Sequence, residues 1–168
     1  SVMTKIRSRS QVIRFLPLKE SEIKMIKPGL PEWVYKCSRG QLKAVASLSS
    51  SDGVTKRQQS FDLLETFWIE SDFLNLPNWR ILFKDREDTQ DILKNWVLFM
   101  RDILVLKLEE LNHVLNVDQI DRLNKLSFIS LSKINLFISQ LLRMEKEIQG
   151  NADCTLLIES LWVTHGRK

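Results

Sequence analysis

Apolar side chains recur at helical spacing along most of this chain. After Pro17 the spacing predicts a short helix over 19–27, with Ile23 and Ile26 inward, broken by Pro28-Gly29. Pro31 suits the first position of a second helix, with Trp33, Val34 and Cys37 as core residues. Arg39-Gly40 ends it, and a third helix over 41–48 sets Leu42, Val45 and Leu48 on one side. The Ser-rich stretch 49–53 reads as a linker. Longer helices follow. One over about 56–71 repeats Phe61, Leu64 and Trp68, with Leu63 and Phe67 beside them. Pro77 opens a short one through Trp79, Leu82 and Phe83. Asp88 is the expected N-cap of a helix that runs through Ile92, Trp96, Phe99, Met100, Ile103 and Leu104 to about Leu111.

Asn116-Val117-Asp118 opens the next helix, with a bend or break expected near Leu126-Ser127. It continues through Ile134, Phe137, Ile138, Leu141 and Met144, and Gly150 is its expected C′ glycine. Asn151 or Asp153 caps a last helix with Leu157, Ile158, Leu161 and Trp162 on its apolar face. The pattern departs from helix only at the start. There Ile6-Arg7-Ser8-Arg9-Ser10-Gln11 reads as a basic turn, and Val12, Ile13 and Phe15 as a strand without an evident partner. The chain is therefore expected to begin inside a larger molecule. The fold class is all-α, with three short helices followed by a helical bundle and one leftover N-terminal strand.

Composition supports this. The 168 residues include only 5 Gly and 4 Pro, too few for the turns of an all-β fold. Abundant Leu, Ile, Lys and Glu favour helix. The net charge of +4 is uneven: residues 1–50 carry +7 and residues 51–168 carry −3. The basic end could face phosphates of a nucleotide or DNA. Cys37 and Cys154 lie far apart without ligand-spaced histidines, so two reduced thiols are expected rather than a metal site or disulfide. No transmembrane helix and no secretory signal are expected, and the cytoplasm is the expected location.

Catalytic chemistry is hard to place. There is no phosphate-cradling Gly-x-x-x-x-Gly-Lys-Ser/Thr loop and no His-Glu-x-x-His. His113 and His165 fall at helix ends and read as surface residues, and the carboxylates are scattered over helix faces. Most of the five tryptophans should be core, although aromatic residues also anchor interfaces.

Four stretches, taken in order, resemble a known family. Ser8-Arg9-Ser10-Gln11, followed by a strand, Phe15 and Pro17-Leu18, is similar to the Ser-Arg-Cys motif of the clamp-loader ATPases of bacterial DNA polymerase III, with Ser10 for the cysteine. Gly40-Gln41-Leu42-Lys43-Ala44 resembles the Gly-x-x-Arg-x-Ala helix of their lid, with Lys43 where the family has a nucleotide-sensing arginine. Trp96 with Arg101-Asp102-Ile103-Leu104 resembles a stretch of the collar. Asn151-Ala152-Asp153, Leu156, Leu157 and Glu159-Ser160-Leu161 resemble its final helix.

The resemblance covers essentially the whole chain and is greatest to the δ′ type of subunit, with γ/τ next. Lys43, and a chain that stops soon after the collar, point to δ′. It implies the edge of an AAA+ module at 1–17, a lid at 18–54 and an oligomerising collar at 55–168. It implies that Arg9 acts as an arginine finger on ATP bound by a neighbouring subunit, a device that contributes roughly 10³–10⁵ in rate. Ser8, Ser10 and Lys43 would lie near nucleotide, and Arg101, Asp102, Asn151 and Trp162 at subunit contacts. A lysine there makes no forked contact, which weakens nucleotide sensing. The implied partners are the γ/τ and δ subunits, and, in the assembled replication complex, the sliding clamp and primer–template DNA. No metal and no cofactor of its own are expected, and no membrane. Other readings of the residues remain: a helical adaptor or DNA-binding module with a basic N-terminal arm, or the C-terminal part of the δ or γ/τ subunit.

Overall fold

The computed structural model describes residues 16–70 and 73–166. The chain is all-α, and among the described residues there is no strand. The strand expected at Val12–Phe15 and the motif carrying Ser8, Arg9 and Ser10 lie outside them.

The first three helices are short: α1 (Glu20–Ile26), α2 (Glu32–Cys37) and α3 (Leu42–Leu48). The Glu22 carboxylate closes the start of α1 by accepting the Lys19 N–H at 2.6 Å. The Tyr35 hydroxyl ties α1 to α2. It donates to the Lys27 carbonyl at 2.7 Å and accepts from the Leu30 N–H at 3.0 Å. Ile23, Trp33, Val34, Tyr35, Cys37 and Val45 form one small core. Helices this short gain little from propensity, so that packing is what holds them.

The remainder consists of α4 (Ser51–Ile69), α5 (Trp79–Leu82), α6 (Arg86–Lys107), α7 (Ile120–Lys125), α8 (Leu131–Gln149) and α9 (Cys154–His165). One-turn 3₁₀ segments at Phe73–Asn75, Leu111–His113 and Val117–Gln119 join them. The long α6 lies at the centre, against both α4 and α8. Phe67 is the hub of a second, larger core. Its ring meets Trp68, Phe73, Trp96, Phe137 and Trp162 at centroid separations of 5.1 to 5.8 Å. Edge and tilted contacts of this kind add to burial. All five tryptophans are buried, and the Trp96 and Trp79 indoles donate to the Ser60 and Leu74 carbonyls at 2.8 Å.

Several local expectations are corrected. Residues 49–53 are not a linker: Ser50 caps α4 by accepting the Gly53 N–H at 3.0 Å. A Cβ at Gly53 would lie 2.0 Å from the Ser47 carbonyl oxygen, so the tight α3–α4 join needs glycine there. Pro31 precedes α2 as its cap residue rather than opening the helix. Ile26 and Leu42 face solvent because each sits at the end of a helix too short to bury a second row. Asp85, not Asp88, caps α6, and its carboxylate takes the Asp88 N–H at 2.9 Å. That helix stops at Lys107, before Glu109 turns left-handed at φ 61°. After α8 the left-handed residue is Asn151 (φ 71°), while Gly150 has φ −81°. Of the two candidate caps, Asp153 caps α9. His113 is exposed as expected, but His165 is buried against Trp68 and Phe137. It lies on the side of α9 that faces the bundle, so its ring is covered although Val163 and Thr164 beside it are exposed.

Candidate functional site

The most constructed polar site lies where α2 meets the α4–α6 face of the bundle. Arg57 enters from α4 with its side chain only 7% exposed. Its guanidinium grips Asp118 with both arms, at 2.7 and 2.9 Å. It also donates to Asn116 Oδ1 at 2.8 and 3.2 Å. The same cation stacks over Trp33 of α2, 3.9 Å from the ring centroid, with Phe99 of α6 at 5.7 Å on the same group. A planar, forked cation suits this double duty, which a lysine could not perform.

Asn116 passes the network on. Its N–H and side-chain amide donate to Asp102 Oδ2 at 2.7 and 2.8 Å, and the Leu115 N–H adds a third bond at 3.1 Å. Arg101 binds the other oxygen of Asp102 at 2.6 Å and donates to the His113 carbonyl at the same distance. Asp102 is wholly buried, and each of its oxygens is satisfied. Cys37 closes the circuit from the three-helix side, its thiol 3.5 Å from Asn116 Oδ1. Burial pushes that thiol up to about 12, with the Arg57 cation opposing the shift, so Cys37 is an inert thiol. Leu115 and Val117 complete the join by packing onto the small core. The node thus welds the three-helix unit to the bundle through alternating charges.

A second contact fixes the entry to the three-helix unit. Gly40 has φ 83°, and its carbonyl accepts the Leu18 N–H at 2.9 Å. A Cβ there would stand 2.5 Å from the Pro17 Cβ and 2.6 Å from the Leu18 carbonyl oxygen. Only glycine meets both demands. Lys43, three residues on, is exposed in the first turn of α3 and forms no ion pair among the described residues. Beside Gly40 a groove of about 350 Å³ separates the three-helix unit from residues 112–115. Lys36, Arg39 and Arg101 line it, with Glu20 the one carboxylate among the described lining residues, so it favours anions.

The other expected site residues serve the chain internally. Arg101 and Asp102 are parts of the junction. Asn151 turns the chain between α8 and α9 and accepts from the Arg86 guanidinium, which bonds to its side-chain and main-chain oxygens. Trp162 is 5% exposed and packs on Phe67 and Phe73, so its ring is not presented to a partner. Arg57, Asn116 and Asp118 were not expected as a site. Arg57 stands in the polar run Lys56-Arg57-Gln58-Gln59, which looks like a solvated face, and its partners lie about 60 residues away. Among the described residues no group of three His, Cys, Asp or Glu side chains could hold a metal ion. No described helix is long and apolar enough to cross a membrane. Compared with protein-family models, with curated proteins and with solved structures, the chain has no match.

Proposed function

We propose that this chain is the lid and collar of a bacterial clamp-loader subunit of δ′ type, carrying the edge of its AAA+ module. It assembles with γ/τ and δ subunits in the cytoplasm, and the assembly loads a sliding clamp onto primed DNA. Its own contribution is architectural, and Arg9 serves as a finger on a neighbour's ATP. The observation that carries this reading is the contact of Gly40 with Pro17 and Leu18. It joins the end of the first stretch that resembles the family to the start of the second, as a lid seated on an ATPase module would require. The helical order agrees, since three short helices run through a capped joint, without slack, into a larger bundle.

The test is co-purification with the γ/τ and δ subunits of the same organism, with the mass read on a sizing column. A stoichiometric complex that survives moderate salt is expected. Leu156 and Val163, seven residues apart on α9 and both more than half exposed, offer a site for disruption. Leu156→Glu should dissolve the complex while helix content stays unchanged. Arg9→Ala should leave assembly intact and slow ATP turnover by the neighbours. A folded chain that joins no such complex, or that binds DNA alone with a steep salt dependence, would replace this reading with the adaptor.

A further inference from the structure

The two walls of the groove between the three-helix unit and residues 112–115 carry the same sign of charge. Lys36 and Arg39 stand on the three-helix wall, and Arg101 on the bundle wall. Arg101 is fixed in place. Its Nη1 donates to the wholly buried Asp102 and to the His113 carbonyl, both at 2.6 Å. Its Nε and Nη2 have no partner among the described residues. Arg39 is fixed as well. Its backbone is left-handed at φ 49°, which a side chain of this size rarely adopts, and it precedes the glycine that packs on Pro17. Lys24 engages the carboxylates that could have neutralised this wall. It lies 2.6 Å from Glu20 and 2.9 Å from Glu32, whose carboxyl also feels the charge of Lys36. Lys36 is half-buried, and neither it nor Arg39 forms an ion pair among the described residues. On the bundle wall His113 has Glu110 3.7 Å away, so those two add little net charge. Three cations that converge on one groove repel one another until an anion enters.

We infer that this groove binds linked phosphate groups, which bridge Lys36 and Arg39 on one wall to Arg101 on the other. The fork of a guanidinium matches phosphate oxygens, and a lysine meets them as a point charge. A carboxylate of single charge would answer only one of the three cations. Tyr35, the aromatic ring beside the groove, is buried, so recognition is of the phosphates rather than of a stacked base. A ligand held by both walls also ties the three-helix unit to the bundle. The site does not depend on the proposed role in clamp loading.

The probe is sodium pyrophosphate, titrated at constant ionic strength into ¹⁵N-labelled protein and followed by NMR. The amide signals of Gly40 and of residues 112–115 should move together and saturate with one Kd, and the Arg101 Nε–H signal should move with them. Lys36→Met keeps the apolar stem, and Arg39→Asn suits a left-handed backbone, so both should keep the fold. Each should weaken binding on the order of tenfold, the usual worth of one charge-assisted bond. Arg101 stays unchanged because it also holds Asp102. A short oligothymidylate separates the two sources of linked phosphates. Tighter binding than pyrophosphate, lost in the same two variants, would assign the groove to a nucleic-acid backbone; no binding would assign it to a free polyphosphate. Either result upholds the inference, and the first would count against the clamp-loader reading, so the two fail separately. No saturable shift with either probe, or unchanged affinity in both variants, would overturn it.

Discussion

Arg57→Met tests whether the junction is held by the forked pairing of a buried cation. Methionine keeps the apolar stem and removes the guanidinium, so the loss isolates polar and cation–π terms. Asn116 Oδ1 would be left buried with only the weak Cys37 thiol, which costs about 1–3 kcal/mol. The face of Trp33 would lose a cation 3.9 Å away, worth about 1–2 kcal/mol when desolvated. Asp118 is 32% exposed, so water replaces most of what it loses and the cost there stays below about 1 kcal/mol. These contributions share one group and do not simply add, so the expected total is about 3 kcal/mol. That is a large fraction of the roughly 5–15 kcal/mol that holds a typical domain. In urea followed by far-ultraviolet circular dichroism, the midpoint should fall by about 1–1.5 M at an m-value of 2–3 kcal/mol/M. Arg57→Lys should recover at most half of the loss, because it restores charge without the fork. A loss under about 1 kcal/mol for Arg57→Met would refute the reasoning. It would mean that desolvation had already cancelled the pairing.

Other consequences are sharper in direction than in size. Gly40→Ala should destabilise the three-helix unit by about 1–3 kcal/mol, from positive φ together with the collision with Pro17; protection of the Leu18 amide in hydrogen exchange would report it. Burial, then Lys133, lowers the pKa of His165 in the fold, so the unfolded state binds the extra proton first. Stability should therefore be fully present above the ordinary histidine value of about 6.5 and decline as pH falls through the lower folded value; melting scans between pH 5 and 7.5 should show a shallower slope for His165→Gln. Cys37, with its thiol pushed up to about 12, should resist alkylation in the native state, and both buried cysteines should react once urea unfolds the chain.

The helices were legible because amphipathic spacing is a local signal. Phe61, Leu64, Trp96, Phe99, Ile103, Ile134, Phe137, Leu141 and Ile158 are all buried, as their periodicity implies. Errors gathered where two local structures share one composition. A Ser-Ser-Ser-Asp-Gly run suits a flexible linker and a helix cap equally, and the choice depended on whether Gly53 had a neighbouring helix to approach. Asp85 and Asp88 are both good caps, and the chain used the earlier one because the Asp88 N–H was available to it. Period alone puts Ile26 inward beside Ile23 and sets Leu42 on one side with Val45 and Leu48, although a helix of two turns has only one row to bury.

The junction was illegible for a different reason. Its bonds link Arg57 to positions 59 and 61 residues away, so neither spacing nor motif could pair them. Asp102 drew notice as part of a collar-like string and proved to be a buried acceptor for the backbone of residues 115 and 116. These two facts bear on each other. A carboxylate with no exposed surface cannot touch a neighbouring subunit directly, yet it fixes the loop that carries Asn116 and, through it, Arg57. Any effect of Asp102 on assembly must therefore run through the geometry of the joint between the three-helix unit and the bundle. Asp102→Asn would place an amide against three donors, and should loosen that joint before it disturbs the aromatic core around Phe67.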